Sequence, residues 1–158
     1  TPPRILCRQR QMCIRDRDSS SMISFLAKDS KIAKKNIYVF TDVDCGYCRK
    51  FHKEVALLNS KGINVHYLAF PRAGQKGATY DKMVSVWCSN DRNDVLSSAK
   101  QGRKIPEKKC DDPISEHFRL GLEIELKGTP AVFSEEGVEL GGFIKAKDVE
   151  RMLLKDKP

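Results

Sequence analysis

The stretch Cys45-Gly46-Tyr47-Cys48 constrains this chain more than any other. Upstream, Ile37-Tyr38-Val39-Phe40-Thr41 is an apolar, β-branched and aromatic run of strand type. Downstream, Phe51, Val55 and Leu58 recur at helical spacing with charged residues between them. The dithiol therefore falls where a strand turns into a helix. Unpaired N–H groups and the macrodipole favour an anion there, and the thiolate is the reactive form of cysteine. Cys45 is expected to be the attacking sulfur, and Cys48, one turn into the helix, the resolving sulfur.

Two other uses of such a pair fit less well. Zinc needs four ligands at matched spacing. Here His52 is expected on a helix surface, and His66 and His117 stand alone, so no metal and no cofactor is expected. A purely structural disulfide across so small a ring would constrain little of the unfolded chain.

The rest of the chain falls into a clear order. Met22 to Leu26 is a short strand candidate, and Lys28 to Asn36 reads as a turn. The strand Ile37–Thr41 has the continuous apolar character of a central strand covered on both faces. A helix is expected from about Cys45 to Ser60, stopped by Lys61-Gly62. Ile63 to Phe70 is the next strand, with Ile63, Val65, Tyr67 and Ala69 on one face. Strand, helix and strand within some thirty residues make a βαβ unit with parallel strands. Gly77 to Ala99 reads as helix divided at Ser89-Asn90-Asp91, and Glu116 to Leu122 as a short helix. Ala131-Val132-Phe133, a turn at Glu135-Glu136-Gly137, and Val138-Glu139-Leu140 form an antiparallel pair, and Lys147 to Lys155 closes as a helix. The predicted class is α/β: βαβ, a helical insertion, then ββα. A Cys-x-x-Cys at the end of the first strand of such a pattern reads as a thioredoxin-like fold.

Composition removes several functions. No apolar run approaches the ~20 residues that span a membrane. The formal charge is +8. Arg4, Arg8, Arg10, Arg15 and Arg17 stand against only Asp16 and Asp18 in the first 22 residues, leaving 24 basic and 19 acidic side chains in the remainder. Those are scattered, with no basic stripe interleaved with aromatics, so no nucleic-acid partner is expected. Residues 1–17 show neither period 2 nor period 3.6 and no apolar core of a signal peptide. Their Q-R-Q-M-C-I-R-D-R resembles translated adaptor sequence. Residues 1–21, with Cys7 and Cys13, are therefore expected to be a non-native or disordered tail, and 22–158 the catalytic domain.

Cys88 and Cys110 both fall in the helical insertion. Joined, they would close a loop of about twenty residues, worth roughly 3 kcal/mol by chain entropy. The other reading is two free thiols. An even cysteine count beside redox chemistry points to the disulfide and to an oxidising compartment.

Four motifs in order carry a family resemblance. Val39-Phe40-Thr41-Asp42-Val43-Asp44-Cys45-Gly46-Tyr47-Cys48-Arg49-Lys50 resembles the active-site segment of the DsbC/DsbG family of periplasmic disulfide isomerases. Tyr67-Leu68-Ala69-Phe70-Pro71-Arg72 resembles that family's next strand and turn. Val86-Trp87-Cys88 with Cys110 resembles its structural disulfide, and Gly128-Thr129-Pro130-Ala131-Val132 its cis-proline loop. The similarity covers roughly residues 22 to 155. It implies a thiol:disulfide interchange protein that isomerises or reduces non-native disulfides in substrate proteins, located in the periplasm and re-reduced by a membrane thiol reductant.

The resemblance also implies roles for particular residues. Thr129, Pro130, Gly46 and Tyr47 would contact substrate, and Asp42 and Arg72 would form a charged pair beside the dithiol. The family carries an N-terminal dimerisation domain with no counterpart in these residues. The parent is expected to be a homodimer and this chain a monomer. A dithiol oxidase of the same fold and a thioredoxin-fold holdase are the alternative functions.

Two finer expectations concern the sulfurs. Gly46-Tyr47, unlike the Gly-Pro of cytosolic thioredoxins, leaves an N–H at Tyr47 as a donor to Cys45. That should stabilise the reduced form and raise the potential. Val39 stands where thioredoxin has a buried acid, so a proton acceptor would be Asp42, Asp44 or water.

Overall fold

A computed structural model describes Ile14, residues 19–29, Lys31 and residues 34–155. Five strands form one sheet, in the order β1-β3-β2-β4-β5. They are β1 (Ile23–Phe25), β2 (Lys35–Thr41), β3 (Ile63–Ala69), β4 (Ala131–Ser134) and β5 (Glu139–Gly141). β2 and β3 run parallel from Lys35↔Ile63 to Thr41↔Ala69, as the βαβ reading requires. The other pairings are antiparallel. The helices are α1 (Gly46–His52), α2 (Val55–Ser60), α3 (Ala78–Trp87), α4 (Arg92–Lys100), α5 (Ile114–Glu123) and α6 (Ala146–Lys155).

Period-2 alternation divides the core into two layers. Ile37 and Val39 of β2 join Ile63, Val65, Tyr67 and Ala69 of β3 on one face, beneath Phe51, Val55 and Leu58. Phe40 and Leu68 point the other way, into a cluster with Phe70, Leu120, Ile124 and Phe133. β2 is thus covered on both faces, which is why it reads as nearly continuous apolar sequence. The insertion divides where expected, with α3 and α4 separated at Cys88–Asp91.

Several expectations need correction. The single helix from Cys45 to Ser60 is two. Lys53 N–H bonds to the Lys50 carbonyl and Glu54 N–H to the Phe51 carbonyl, three residues back rather than four, and this tightening breaks the α-helical ladder. Glu54 then turns its carboxylate to the Ala146 N–H, 2.8 Å away at the start of α6. The turn read over Lys28–Asn36 ends early, because Lys35 and Asn36 already pair with Ile63 and Asn64. His52 is not a surface histidine. Its Nδ1 lies 2.9 Å from the Tyr67 hydroxyl and its Nε2 2.8 Å from Ser97 Oγ. Burial, then the charge of Lys100, lowers its pKa to about 4.

The described residues before Met22 also pack on the domain. Ile14 is buried in the second core layer. Ser19–Ser21 form a 3₁₀ turn, whose carbonyls accept from Trp87 Nε1 and Arg92. The remainder of the 1–18 tail, with Cys7 and Cys13, lies outside the described residues.

One close approach yields a prediction. A Cβ at Gly121 in α5 would meet the Phe70 ring carbons at 2.5 and 2.6 Å and Leu126 Cδ1 at 3.0 Å. Phe70 is stacked on Phe118 at 4.9 Å and cannot swing freely. Alanine has about 1 kcal/mol better helix propensity than glycine, but overpacking a filled site costs about 1–3 kcal/mol. Gly121→Ala is therefore expected to lower stability by up to about 2 kcal/mol in urea unfolding.

Candidate active site around Cys45 and Cys48

β2 ends at Thr41, and the next four residues turn the chain into α1. Asp42 builds that turn. Its buried carboxylate accepts from the Asp44 N–H at 2.8 Å through Oδ1, and from the Arg72 N–H at 2.9 Å and Arg72 Nε at 3.3 Å through Oδ2. Its carbonyl accepts from the Cys45 N–H at 3.1 Å. One carboxylate thus ties the turn after β2 to the turn after β3, and holds the half-exposed Arg72 guanidinium on the dithiol side.

Cys45 is the N-cap of α1 in extended conformation, and Cys48 lies in its first turn. Both cysteines are free thiols and buried. Gly46 and Tyr47 between them are exposed. The Cys45 thiol donates to the Thr129 carbonyl at 3.4 Å. The Thr129–Pro130 peptide is cis. The residues around Thr129 therefore lie against Cys45, although 84 positions separate them in the chain. Tyr47 is 60% exposed, with its ring 6.4 Å from that of Phe143 and Lys50 Nζ 5.2 Å from its centroid.

The two sulfurs are pushed in opposite directions. Burial raises the Cys45 pKa, but the Thr129 hydroxyl, the Cys48 N–H and thiol, and the Arg72 charge outweigh it, and the net shift is downward. Burial dominates at Cys48 and raises it, helped by the neighbouring Cys45 and opposed by Lys100, Thr129 and the Asp42 backbone. The backbone donor that favours the Cys45 thiolate is the Cys48 N–H. Cys48 is the third helical position after the Cys45 cap, and a cap side chain faces the N–H groups of the second and third positions. Thr129 Oγ1 is buried with no hydrogen-bond partner among the described residues. Its proton is therefore available to a thiolate.

Asp44 does not stand free as a proton acceptor. Its carboxylate takes Lys82 Nζ at 2.6 Å, the Thr79 hydroxyl at 2.6 Å and Arg49 at 3.3 Å. Burial raises its pKa, but these partners bring it down overall. Asp44 instead docks α3 on the active-site turn.

A residue that sequence reasoning missed is Lys100, the last of α4. It is only 4% exposed. Its ammonium donates to Thr41 Oγ1 at 2.5 Å and sits 5.0 Å from the centroid of the Tyr67 ring. The signal in the sequence was weak: Lys100 stands four residues after the buried Leu96, on the inward face of α4. A lysine at such a position usually runs its stem along the core and puts its charge in water.

Cys88 and Cys110 are joined, with Cα atoms 5.6 Å apart and 22 residues of separation. The bond ties the end of α3 to the loop before α5. Replacing both by alanine is expected to cost about 2–3 kcal/mol by loop-closure entropy, measured as a lowered urea midpoint. Among the described residues no group of three or more His, Cys, Asp or Glu side chains could hold a metal. No helix among them is long and apolar enough to cross a membrane.

Comparison with known proteins agrees with this geometry. The thioredoxin-like domain family matches residues 26–156. The chain is 38% identical over 132 residues to the thiol:disulfide interchange protein DsbC of Salmonella typhimurium, covering 84% of this chain and 54% of that protein. It is 38% identical over 120 residues to the Escherichia coli K12 protein of the same name, covering 76% of this chain and 51% of that one. It thus spans about half the length of these curated relatives. Among solved structures, a disulfide interchange protein from Neisseria gonorrhoeae superposes with a TM-score of 0.75 at 22% identity, over 89% of this chain and 98% of that one. The catalytic domain of Proteus mirabilis ScsC gives 0.69 at 19%, over 92% and 97%; both likenesses are of fold. With a parallel β2–β3 core, a Cys-x-x-Cys at the start of α1 and a family match across most of its length, this chain belongs to the thioredoxin-like family.

Proposed function

We propose that this chain is the catalytic unit of a thiol:disulfide interchange protein that acts on disulfides of other proteins through Cys45 and Cys48. The observation that carries this reading is the opposed pair of sulfurs. Cys45 is held toward the thiolate, and Cys48 is kept as a thiol until needed. Groups whose environments push their pKa values apart mark a division of chemical labour.

The mechanism follows from that division. The Cys45 thiolate attacks one sulfur of a substrate disulfide. A Cys45–substrate bond forms, and the second substrate sulfur leaves as a thiolate and takes a proton. In isomerisation, another substrate thiolate attacks the substrate sulfur of this mixed disulfide. A new substrate disulfide forms, Cys45 is released, and no electrons are transferred overall. In reduction, Cys48 loses its proton and attacks Cys45 Sγ. The Cys45–Cys48 disulfide forms, the substrate thiolate leaves, and two electrons pass from enzyme to substrate. An external dithiol must then restore the pair, and a membrane thiol reductant would serve.

Arg72 and the Thr129 hydroxyl support the first step by favouring the Cys45 thiolate. The exposed Tyr47 and half-exposed Phe143 offer apolar surface beside the dithiol for an unfolded substrate. Thr129 and Pro130 provide main chain next to it. The Cys88–Cys110 bond supports a periplasmic location, because such bonds persist in oxidising compartments. The parent protein is a homodimer on this reading, and its substrates are disulfide-containing proteins.

The test is the redox equilibrium of Cys45–Cys48 against glutathione. Stabilising the reduced form makes a pair more oxidising. A potential between about −180 and −120 mV is expected, with recovery of activity in a scrambled-disulfide protein. A value near about −270 mV would make the chain a reductant and overturn the isomerase reading. Retained anti-aggregation activity with no exchange would favour the holdase.

A further inference from the structure

The thiolate that resolves the mixed disulfide must form in a buried place. Cys48 is 1% exposed, and an anion there needs a counter-charge or a proton acceptor. Val39, in the core layer of β2, provides neither. Asp42 is committed to Arg72 and to the Asp44 N–H, and Asp44 to Lys82, Thr79 and Arg49. The fold does bury a lysine of the helical insertion, Lys100, on Thr41 at the end of the strand that leads into the dithiol.

We propose that Lys100 is the buried positioning cation that favours the Cys48 thiolate, and so sets the rate at which the mixed disulfide on Cys45 is resolved. This rests on the interchange function proposed above. Three features support it. Lys100 is held in place by Thr41, at the end of the strand that leads into the dithiol, at 2.5 Å. It lies over the Tyr67 ring at 5.0 Å, whose own ionisation is suppressed by burial and then by the charge of Cys48. No carboxylate forms an ion pair with it among the described residues.

The titratable and charged groups that act on Lys100 are few. Cys48, Cys45 and Asp42 favour its ammonium, and Arg49 opposes it. Lys100 in turn disfavours protonation of His52. Tyr67 stays neutral. Burial lowers the Lys100 pKa to about 8, close enough to neutrality for the site to hold either ammonium with thiolate or amine with thiol. At Cys48, Lys100 is the largest of the influences that oppose burial.

The step balances within the site. With the amine form, the Cys48 proton passes to the lysine, directly or through water. With the ammonium form, it passes to solvent while the charge stays beside the sulfur. Either way the Cys48 thiolate attacks Cys45 Sγ, the internal disulfide forms, and the substrate thiolate leaves.

The test uses oxidised glutathione as probe in single-turnover, acid-quenched reactions of the full chain, with the Cys45–glutathione mixed disulfide followed by mass. In Lys100→Met, resolution at pH 7 is expected to slow by about tenfold or more, the change in thiolate fraction for one pKa unit. The mixed disulfide should accumulate, while attack by Cys45 changes far less. In a Cys45→Ala background, the Cys48 thiolate absorbance should move to higher pH when Lys100 is also replaced. Lys100→Arg should recover part of the resolution rate. Unchanged resolution and an unchanged Cys48 titration in Lys100→Met would overturn the inference. If Lys100→Met does not fold, the unmodified protein decides: the Lys100 ε-methylene resonance must titrate at higher pH in the reduced than in the oxidised form, and equal midpoints overturn it. Failure of the unmodified protein to form a Cys45–glutathione adduct would instead overturn the function on which the inference rests.

Discussion

Replacing Cys45 by serine is expected to reduce thiol–disulfide exchange by at least about a thousandfold, the scale on which removal of a nucleophile acts. The hydroxyl does not ionise near neutrality and cannot form the mixed disulfide. Cys48 cannot stand in, because burial raises its pKa and it is less than 2% exposed. Cys48→Ser should behave differently. It keeps the nucleophile and the donors around it, so the first attack proceeds and the Cys45–substrate disulfide accumulates. The two variants are to be compared with a scrambled-disulfide protein and with oxidised glutathione. Equal loss of the first step in both would remove the division of labour between the two sulfurs. Full activity in Cys45→Ser would remove the catalytic assignment itself.

Lys100→Met should make the protein more stable at pH 7, by about 2 kcal/mol. The folded-state pKa of Lys100 falls from 10.5 to about 8. The unfolded chain therefore binds this proton more tightly, and carrying the charge in the folded state costs about 3 kcal/mol at any pH below 8. The cost is relieved as pH rises from about 8 to 10.5. Methionine removes it, at the loss of the Lys100–Thr41 hydrogen bond, worth about 1 kcal/mol net. Urea unfolding of the reduced protein, the state in which Cys48 and Cys45 help hold Lys100 at about 8, should show the variant ahead at pH 7 and the gap closing by pH 10. A variant less stable at pH 7 would make Lys100 a structural donor. A buried charge that costs stability fits a site held for chemistry, since natural proteins accept local penalties at functional positions.

Much of the fold was legible because its elements obey simple periods. β2 and β3 announced themselves by apolar, β-branched runs, and their parallel pairing followed from the helix-length connection between them. Gly62 ended the first helical region, and Ser89-Asn90-Asp91 divided the insertion, as local chemistry requires. The interruption between α1 and α2 was not legible. Phe51, Val55 and Leu58 keep helical spacing across it, and the break is seen only in the hydrogen bonds at Lys53 and Glu54. His52 was misjudged for a related reason. Helical spacing put it on the outer side of a long helix, whereas the packed α4 buries it against Tyr67 and Ser97.

The site shows the same division. Cys45 and Cys48 share one turn, so their spacing and flanking elements were enough to place both at the start of α1. The contacts of Asp42 with Arg72 and of Cys45 with Thr129 were visible only through resemblance, because 30 and 84 residues separate the partners.

By itself the sequence determined the order of strands and helices, the place of the dithiol at a strand–helix junction, and the thioredoxin-like class. Those are consequences of local propensity and pattern, which act over a few residues. Only the tertiary structure decided that Asp44 is spent on docking α3, that Thr129 lies against Cys45, and that Lys100 is buried against Thr41 and the Tyr67 ring. Each of these depends on burial and on distance between residues far apart in the chain. Desolvation is a property of the packed interior, and no spacing within a single helix or strand encodes it.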